Sequence, residues 1–323
     1  MAENKTAGRN LAMEAVRITE AAARAASLWM GRGDEESADQ AAVNAMDKAF
    51  KGLSIDGTIR IGESNANGIS KLIAGEKVGT GNGPAVDVAL MPVEGPTIVA
   101  KSEPNGLSVI AMAEDGQLLN LPELYMEKLA IGGGLPADLV DLDNQPADNL
   151  KALSQAKGVP VSDLVVCILD RPRHGEIIAK TREAGARIML IVDGDVSGVI
   201  ATAWPKSGID LYCGIGGAPQ GVLSAAALAC VGGQMQGRLV SRDKAEKQKI
   251  SDAGIVDPGQ KFSVADMASG NVTFAATGVT SGALLNGVTK ADNIALTQSL
   301  VVRSQTGTLR YVEAYHQFGQ ADG

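Results

Sequence analysis

Across residues 10–30 Ala, Leu and Met recur at the three- and four-residue spacing of one helix face, and residues 41–50 repeat that character after the polar Ser37-Ala38-Asp39. The pattern predicts two helices joined by a turn. From Thr58 the apolar runs shorten to 58–61, 85–90, 97–101 and 107–112, divided by Gly, Pro and Asn clusters, which reads as a meander of strands. The middle of the chain then alternates: strand at 164–169, helix at 176–184, strand at 187–192, helix at 197–203, strand at 210–213 and helix at 222–230. Such alternation with short loops predicts right-handed crossovers and a parallel sheet. Residues 272–276 and 300–315 return to strand-like sequence. The shift of pattern near Gly158 suggests an α+β region over 1–157 and an α/β region with C-terminal strands over 158–323.

Composition narrows the class. With 323 residues, 45% of them hydrophobic, the chain can bury one large core or two adjoining ones. Thirty-nine glycines against four Phe, four Tyr and two Trp suit the tight turns and small-residue packing of an α/β enzyme. A net charge of −8 without any basic run argues against nucleic acid or an anionic membrane as partner. The polar start has no signal-peptide pattern and no apolar run approaches the ~18 residues that span a bilayer, so a soluble cytoplasmic protein is expected. Cys167, Cys213 and Cys230 are odd in number and lie in apolar segments, as reduced core thiols do. With only His174 and His316 present, a multi-histidine metal site is excluded, and chemistry falls to carboxylates, Lys, Arg and Tyr.

Ligands of a parallel sheet bind beyond the carboxyl ends of its strands. Three successive predicted ends carry polar groups: Asp170-Arg171-Pro172-Arg173-His174, Asp193-Gly194-Asp195, and the glycine-rich run from Gly214 through Gly217 to Gly221. Arginines there can fork onto a phosphate, aspartates can accept sugar hydroxyls, and glycines let backbone N–H groups approach an anion. Singly, each run reads more simply as a turn or as surface charge. Their succession on consecutive strand ends favours a site.

These elements occur with Gly31-Arg32-Gly33-Asp34, Ala38-Asp39, Ile61-Gly62-Glu63, the run Gly75-Glu76-Lys77-Val78-Gly79-Thr80-Gly81, Leu124-Tyr125-Met126-Glu127-Lys128-Leu129 and Ala275-Ala276-Thr277-Gly278. In that order they resemble the class II fructose-1,6-bisphosphatase family of the GlpX type, including its fructose/sedoheptulose bisphosphatase members. The resemblance implies an α/β fold, a layered αβαβα sandwich with one mixed or antiparallel sheet and one mainly parallel sheet. It also implies a Mg2+ or Mn2+ phosphatase site, a phosphorylated sugar such as fructose 1,6-bisphosphate as ligand, and a homo-oligomer, with hetro-assembly alongside an active relative as a further expectation.

Carried over by motif, the family's metal carboxylates fall at Asp39, Glu63, position 91, Glu94 and position 220. Met91 and Gln220 replace two of them, and Pro96 stands where a threonine would orient the attacking water. A thioether is a soft, uncharged donor ill suited to Mg2+ or Mn2+. Proline has neither hydroxyl nor N–H. The acidic loop of the family reads Ser64-Asn65-Ala66-Asn67-Gly68-Ile69-Ser70 here, and the stretch 242–254 is shorter than the family's charged insertion, which suggests an altered surface or oligomer contact, not a changed centre. The residues matching the sugar-phosphate subsite remain: Tyr125, Arg171, Pro172, Arg173, Asp193, Gly194, Asp195 and Gly217. The leading expectation is a sugar-phosphate binder that has lost most hydrolysis, a pseudoenzyme or regulatory protein. Beside it stand a redirected isomerase or epimerase using Glu63, Glu94, Asp39 or Lys77, and a weak but authentic bisphosphatase.

Overall fold

The computed structural model describes residues 7–64, 70–204 and 206–317. In chain order the elements begin with α1 (Ala7–Ser27), α2 (Glu35–Phe50), β1 (Asp56–Ile61), β2 (Lys77–Val78), β3 (Ala85–Glu94), α3 (Pro96–Lys101) and β4 (Leu107–Glu114). There follow β5 (Tyr125–Ile131), α4 (Pro146–Lys157), β6 (Val165–Leu169), α5 (Gly175–Glu183), β7 (Arg187–Ile191), α6 (Asp195–Ala201), β8 (Leu211–Gly217), α7 (Ala218–Val231), β9 (Gln234–Val240), α8 (Lys244–Asp252), β10 (Lys261–Ser263) and α9 (Val264–Met267). The chain ends in β11 (Thr273–Gly278), β12 (Thr289–Ala291), β13 (Ile294–Arg303) and β14 (Thr308–Gln317). Two compact units result, Met1–Leu118 with Ser269–Gly323, and Leu119–Ala268. Gly158 is no boundary between them: it is the left-handed C-cap of α4, inside the second unit, with φ 66°.

The first unit holds an eight-stranded sheet in the order β12-β13-β11-β4-β3-β1-β2, with β14 also paired to β13. It is mixed, since β1 and β3 run parallel. Ala15, Ala22 and Ala23 of α1 and Ala38, Ala42 and Met46 of α2 bury against Val88, Leu90, Ile110 and Ala275 of the sheet, small side chains letting the helices approach it closely. α2 starts six residues before the apolar pattern does, because the Asp34 carboxylate accepts from Ser37 N at 2.9 Å and Glu35 and Glu36 suit the positive end of the helix. Asp39 therefore sits on the helix. Residues 97–101, read as strand, form α3 instead: Gly95 adopts φ 80° and Pro96 takes the first helical position, where its missing N–H costs no helical bond. The tail 300–315 is a hairpin, β13 and β14 pairing along their whole length.

In the second unit β7-β6-β8 are parallel, as the alternation predicts, and β5, β9 and β10 extend the sheet antiparallel. Alternation along the strands separates two faces. Leu129, Val166, Ile168, Leu211 and Cys213 pack with Leu150 and Leu153 of α4 and Ile178 of α5. Cys167 and Tyr212 turn the other way, against Gly198 of α6. The three cysteines are buried and form no disulfide, and burial pushes the Cys167 and Cys213 thiols up to about 12. Among the described residues no helix is long and apolar enough to cross a membrane.

Candidate functional site

Register brings five chain segments of the second unit to one sheet edge. The parallel strands β6, β7 and β8 end there, and Tyr125 at the start of β5 pairs with both Gly217 of β8 and Val240 of β9. Arg171 and Arg173 thus follow β6, Asp193 follows β7, Gly217 closes β8, and Arg242 stands two residues beyond β9. The N-terminal end of the 14-residue α7 begins at the same place, its dipole favouring negative charge.

Arg173 is held firmly: Nε and Nη2 donate to the Ile215 carbonyl at 3.0 and 2.7 Å, and Cζ lies 5.0 Å from the centroid of the Tyr125 ring. Its fork therefore grips backbone, and Nη1 is the nitrogen left for a ligand. His174 fixes the other side of the same residue. Its Nε2 accepts from Ile215 N at 2.8 Å and Nδ1 bonds the Leu169 carbonyl at 2.7 Å, which makes Nδ1 the protonated nitrogen of a neutral ring. Burial, with the Arg173 and Arg171 charges adding to it, lowers the His174 pKa below 6.5. Pro172 opens the short 3-10 turn 172–174 that sets these side chains in place. Arg171 is more loosely tethered, its Nη2 3.9 Å from Asp193 Oδ2.

The two aspartates of Asp193-Gly194-Asp195 part ways. Asp193 is half-exposed and accepts from Gly194 N at 2.9 Å, whereas buried Asp195 accepts from the fully buried Lys128 ammonium. Asp195 is thereby engaged inside the unit. Its carboxylate explains Gly216, where a Cβ would lie 1.9 Å from Asp195 Oδ2. Gln220, third residue of α7, folds back in the same way over Gly217, whose Cβ would meet Oε1 at 1.9 Å.

Arg242 is the residue that sequence reasoning missed. Its Cζ lies 5.0 Å from the Tyr125 centroid, as that of Arg173 does, so both guanidiniums share one ring. Glu246 holds it there: the carboxylate accepts from Arg242 Nη2, from Nε at 2.9 Å and from the backbone N at 2.7 Å, while Asp243 caps α8 by accepting from Glu246 N at 2.8 Å. The Arg242 hydrogen bonds keep the Glu246 carboxyl below its usual range. The 242–254 stretch, read as altered surface, thus begins at the site. The available signal was the alternation of Gln234-Met235-Gln236-Gly237-Arg238-Leu239-Val240, which places a strand immediately before Arg242.

The remaining sequence-derived positions lie in the first unit. Asp39 is half-buried on α2 with no hydrogen bond or ion pair among the described residues, and burial alone pushes its pKa up to about 6. Glu63 forms an isolated parallel bridge with Ile73. Met91 pairs with Val109 across β3 and β4, and the register shifts before buried Glu94, after which Gly95 and Pro96 turn into α3. Thr97 Oγ1 donates to Glu35 Oε2 at 2.9 Å, tying α3 to α2. Lys77 is exposed and paired with Asp56 at 2.8 Å. Asn65 to Ile69 lie outside the described residues. Among the described residues no three His, Cys, Asp or Glu side chains converge to hold a metal ion. The thioether at 91 and the amide at 220 offer no charged oxygen to the Mg2+ or Mn2+ that the resemblance implies.

Two sheets carrying helices, one of them with an arginine-bearing edge gathered round a tyrosine, define an α/β protein. The family model described as bacterial fructose-1,6-bisphosphatase, glpX-encoded, matches residues 9–316, and the chain belongs to that family. It is 43% identical to fructose-1,6-bisphosphatase 1 class 2 of Escherichia coli (strain K12) over 327 aligned residues, covering 97% of each chain. The same identity and coverage hold for fructose-1,6-bisphosphatase class 2 of Shigella flexneri.

Proposed function

We propose that the protein binds a phosphorylated sugar, fructose 1,6-bisphosphate or a close relative, at the strand edge of the second unit and hydrolyses it little or not at all. It would then act as a regulatory member of its family, as a homo-oligomer or in assembly with an active relative. The observation that carries this reading is a contrast. Arg173 and Arg242 are pre-positioned on Tyr125, while the phosphatase positions of the first unit hold Met91 and Pro96. Fixed guanidiniums and a helix N-terminus recognise phosphate without a metal, and half-exposed Asp193 offers an acceptor to a sugar hydroxyl. Hydrolysis asks for oxygen donors to a divalent cation and a hydroxyl that orients water, and Met91, Gln220 and Pro96 supply no acidic oxygen and no hydroxyl. Mg2+ or Mn2+ would accordingly bind weakly.

The test is a thermal shift with fructose 1,6-bisphosphate beside a phosphate-release assay, each with chelator and with added Mg2+ or Mn2+. Expected is a raised Tm in chelator, by about 2.7 kcal/mol of stabilisation at ~100 times Kd, with no phosphate released above an Arg171→Ala/Arg173→Ala control. Metal-dependent phosphate release abolished by chelator overturns the reading in favour of a working bisphosphatase. A new phosphorylated sugar without free phosphate overturns it in favour of an isomerase.

A further inference from the structure

The geometry points to Arg242 as a second guanidinium arm for the phosphate, held ready by Glu246. The inference deepens the proposed function and rests on it, since it names a further binding residue of the same edge.

Two like charges brought to one aromatic ring repel each other, and a ligand dianion placed between them removes that cost. Arg173 is fixed by a backbone carbonyl, which does not neutralise it. Arg242 is fixed by Glu246 through Nε and Nη2. In both side chains Nη1 is the nitrogen without a hydrogen bond among the described residues, and each guanidinium lies against the Tyr125 ring, which limits how far apart they stand. A phosphomonoester presents three acceptor oxygens and nearly two charges at neutral pH, so it can take one donor from each arginine at once. A carboxylate or a neutral sugar offers less to both. Anchoring matters because a guanidinium already immobilised loses little side-chain entropy when the ligand arrives. Glu246 also accepts from Arg242 N just ahead of α8, and a purely structural part for the Arg242 side chain would consist of holding that carboxylate in place.

The experiment is titration calorimetry of fructose 1,6-bisphosphate, and separately of inorganic phosphate, against wild type, Arg242→Ala, Arg242→Gln, Glu246→Ala and Arg173→Ala. Arg242→Gln keeps the aliphatic stem on Tyr125 and serves if the alanine variant fails to fold. Removing a charge-assisted donor should raise Kd about tenfold or more for both ligands in either Arg242 variant. Glu246→Ala, which loses that carboxylate and keeps the guanidinium, should raise it several-fold less. Arg173→Ala weakening the ligand while both Arg242 variants stay within about twofold of wild type would overturn the inference and leave the proposed site standing. Equal losses in Glu246→Ala and the Arg242 variants would overturn it too, since they would trace to α8. If Arg173→Ala also has no effect, the proposed site falls and the inference with it.

Discussion

Replacing His174 by alanine should destabilise the second unit and flatten its response to acid. The imidazole spans the end of β6 and the last residues of β8, bonding the Leu169 carbonyl at 2.7 Å in buried structure and accepting from the part-buried Ile215 N at 2.8 Å. Alanine leaves the part-buried Ile215 N–H without an acceptor, worth about 1–3 kcal/mol, and takes one of two donors from the Leu169 carbonyl, which keeps Arg171 N at 2.9 Å, so a loss of about 2–4 kcal/mol is expected once lost packing is included. That is a large part of the ~5–15 kcal/mol that holds a typical domain. The acid response follows from the tautomer. Nε2 is an acceptor, so protonating it breaks the bond to Ile215, and burial lowers the folded-state pKa below 6.5. The unfolded chain then binds more protons than the folded one once pH falls below 6.5. The stabilisation is complete above that value and is lost on acidification towards the lower folded pKa, at no more than about 1.4 kcal/mol per pH unit for one proton. Urea unfolding from pH 8 to 5, together with hydrogen exchange at the Ile215 amide, measures both effects. Relative to intrinsic exchange, the Ile215 amide should lose protection on acidification in wild type and show uniformly low protection in the variant. A variant within about 1 kcal/mol of wild type, or one keeping the wild-type acid slope, would show that His174 is not the clamp described.

Two further outcomes are expected. Asp39→Asn should raise Tm at pH 7, because a carboxyl whose pKa rises from 3.8 to about 6 loses stability as pH climbs through that interval. The gain, about 1–3 kcal/mol after allowing for partial exposure, should vanish below pH 4 in melts run across the range. Lys128→Met should cost about 3–5 kcal/mol by leaving the buried Asp195 carboxylate without its ammonium, and Lys128→Met/Asp195→Asn should recover much of it in urea titrations. A double variant less stable than Lys128→Met would contradict that pairing.

Local periodicity was enough to predict α1, the body of α2 and the alternation from β6 to α7, because each depends on residues a few positions apart. The same alternation placed Arg171, Arg173, Asp193 and Gly217 at strand ends, since parallel strands joined by short crossovers finish on one edge. Gly95-Pro96 was a helix start that β-branched Thr97, Ile98 and Val99 obscured. What the sequence left open depends on distant pairing. Only the register of Tyr125 with Gly217 and Val240 brings Arg242 onto the ring beside Arg173, across more than a hundred residues of chain. Only packing separates Asp195, drawn inward by Lys128, from Asp193 two positions earlier. A residue's type sets what its side chain can do, but burial and strand register, which arise from the whole folded sheet, decide which partner it meets.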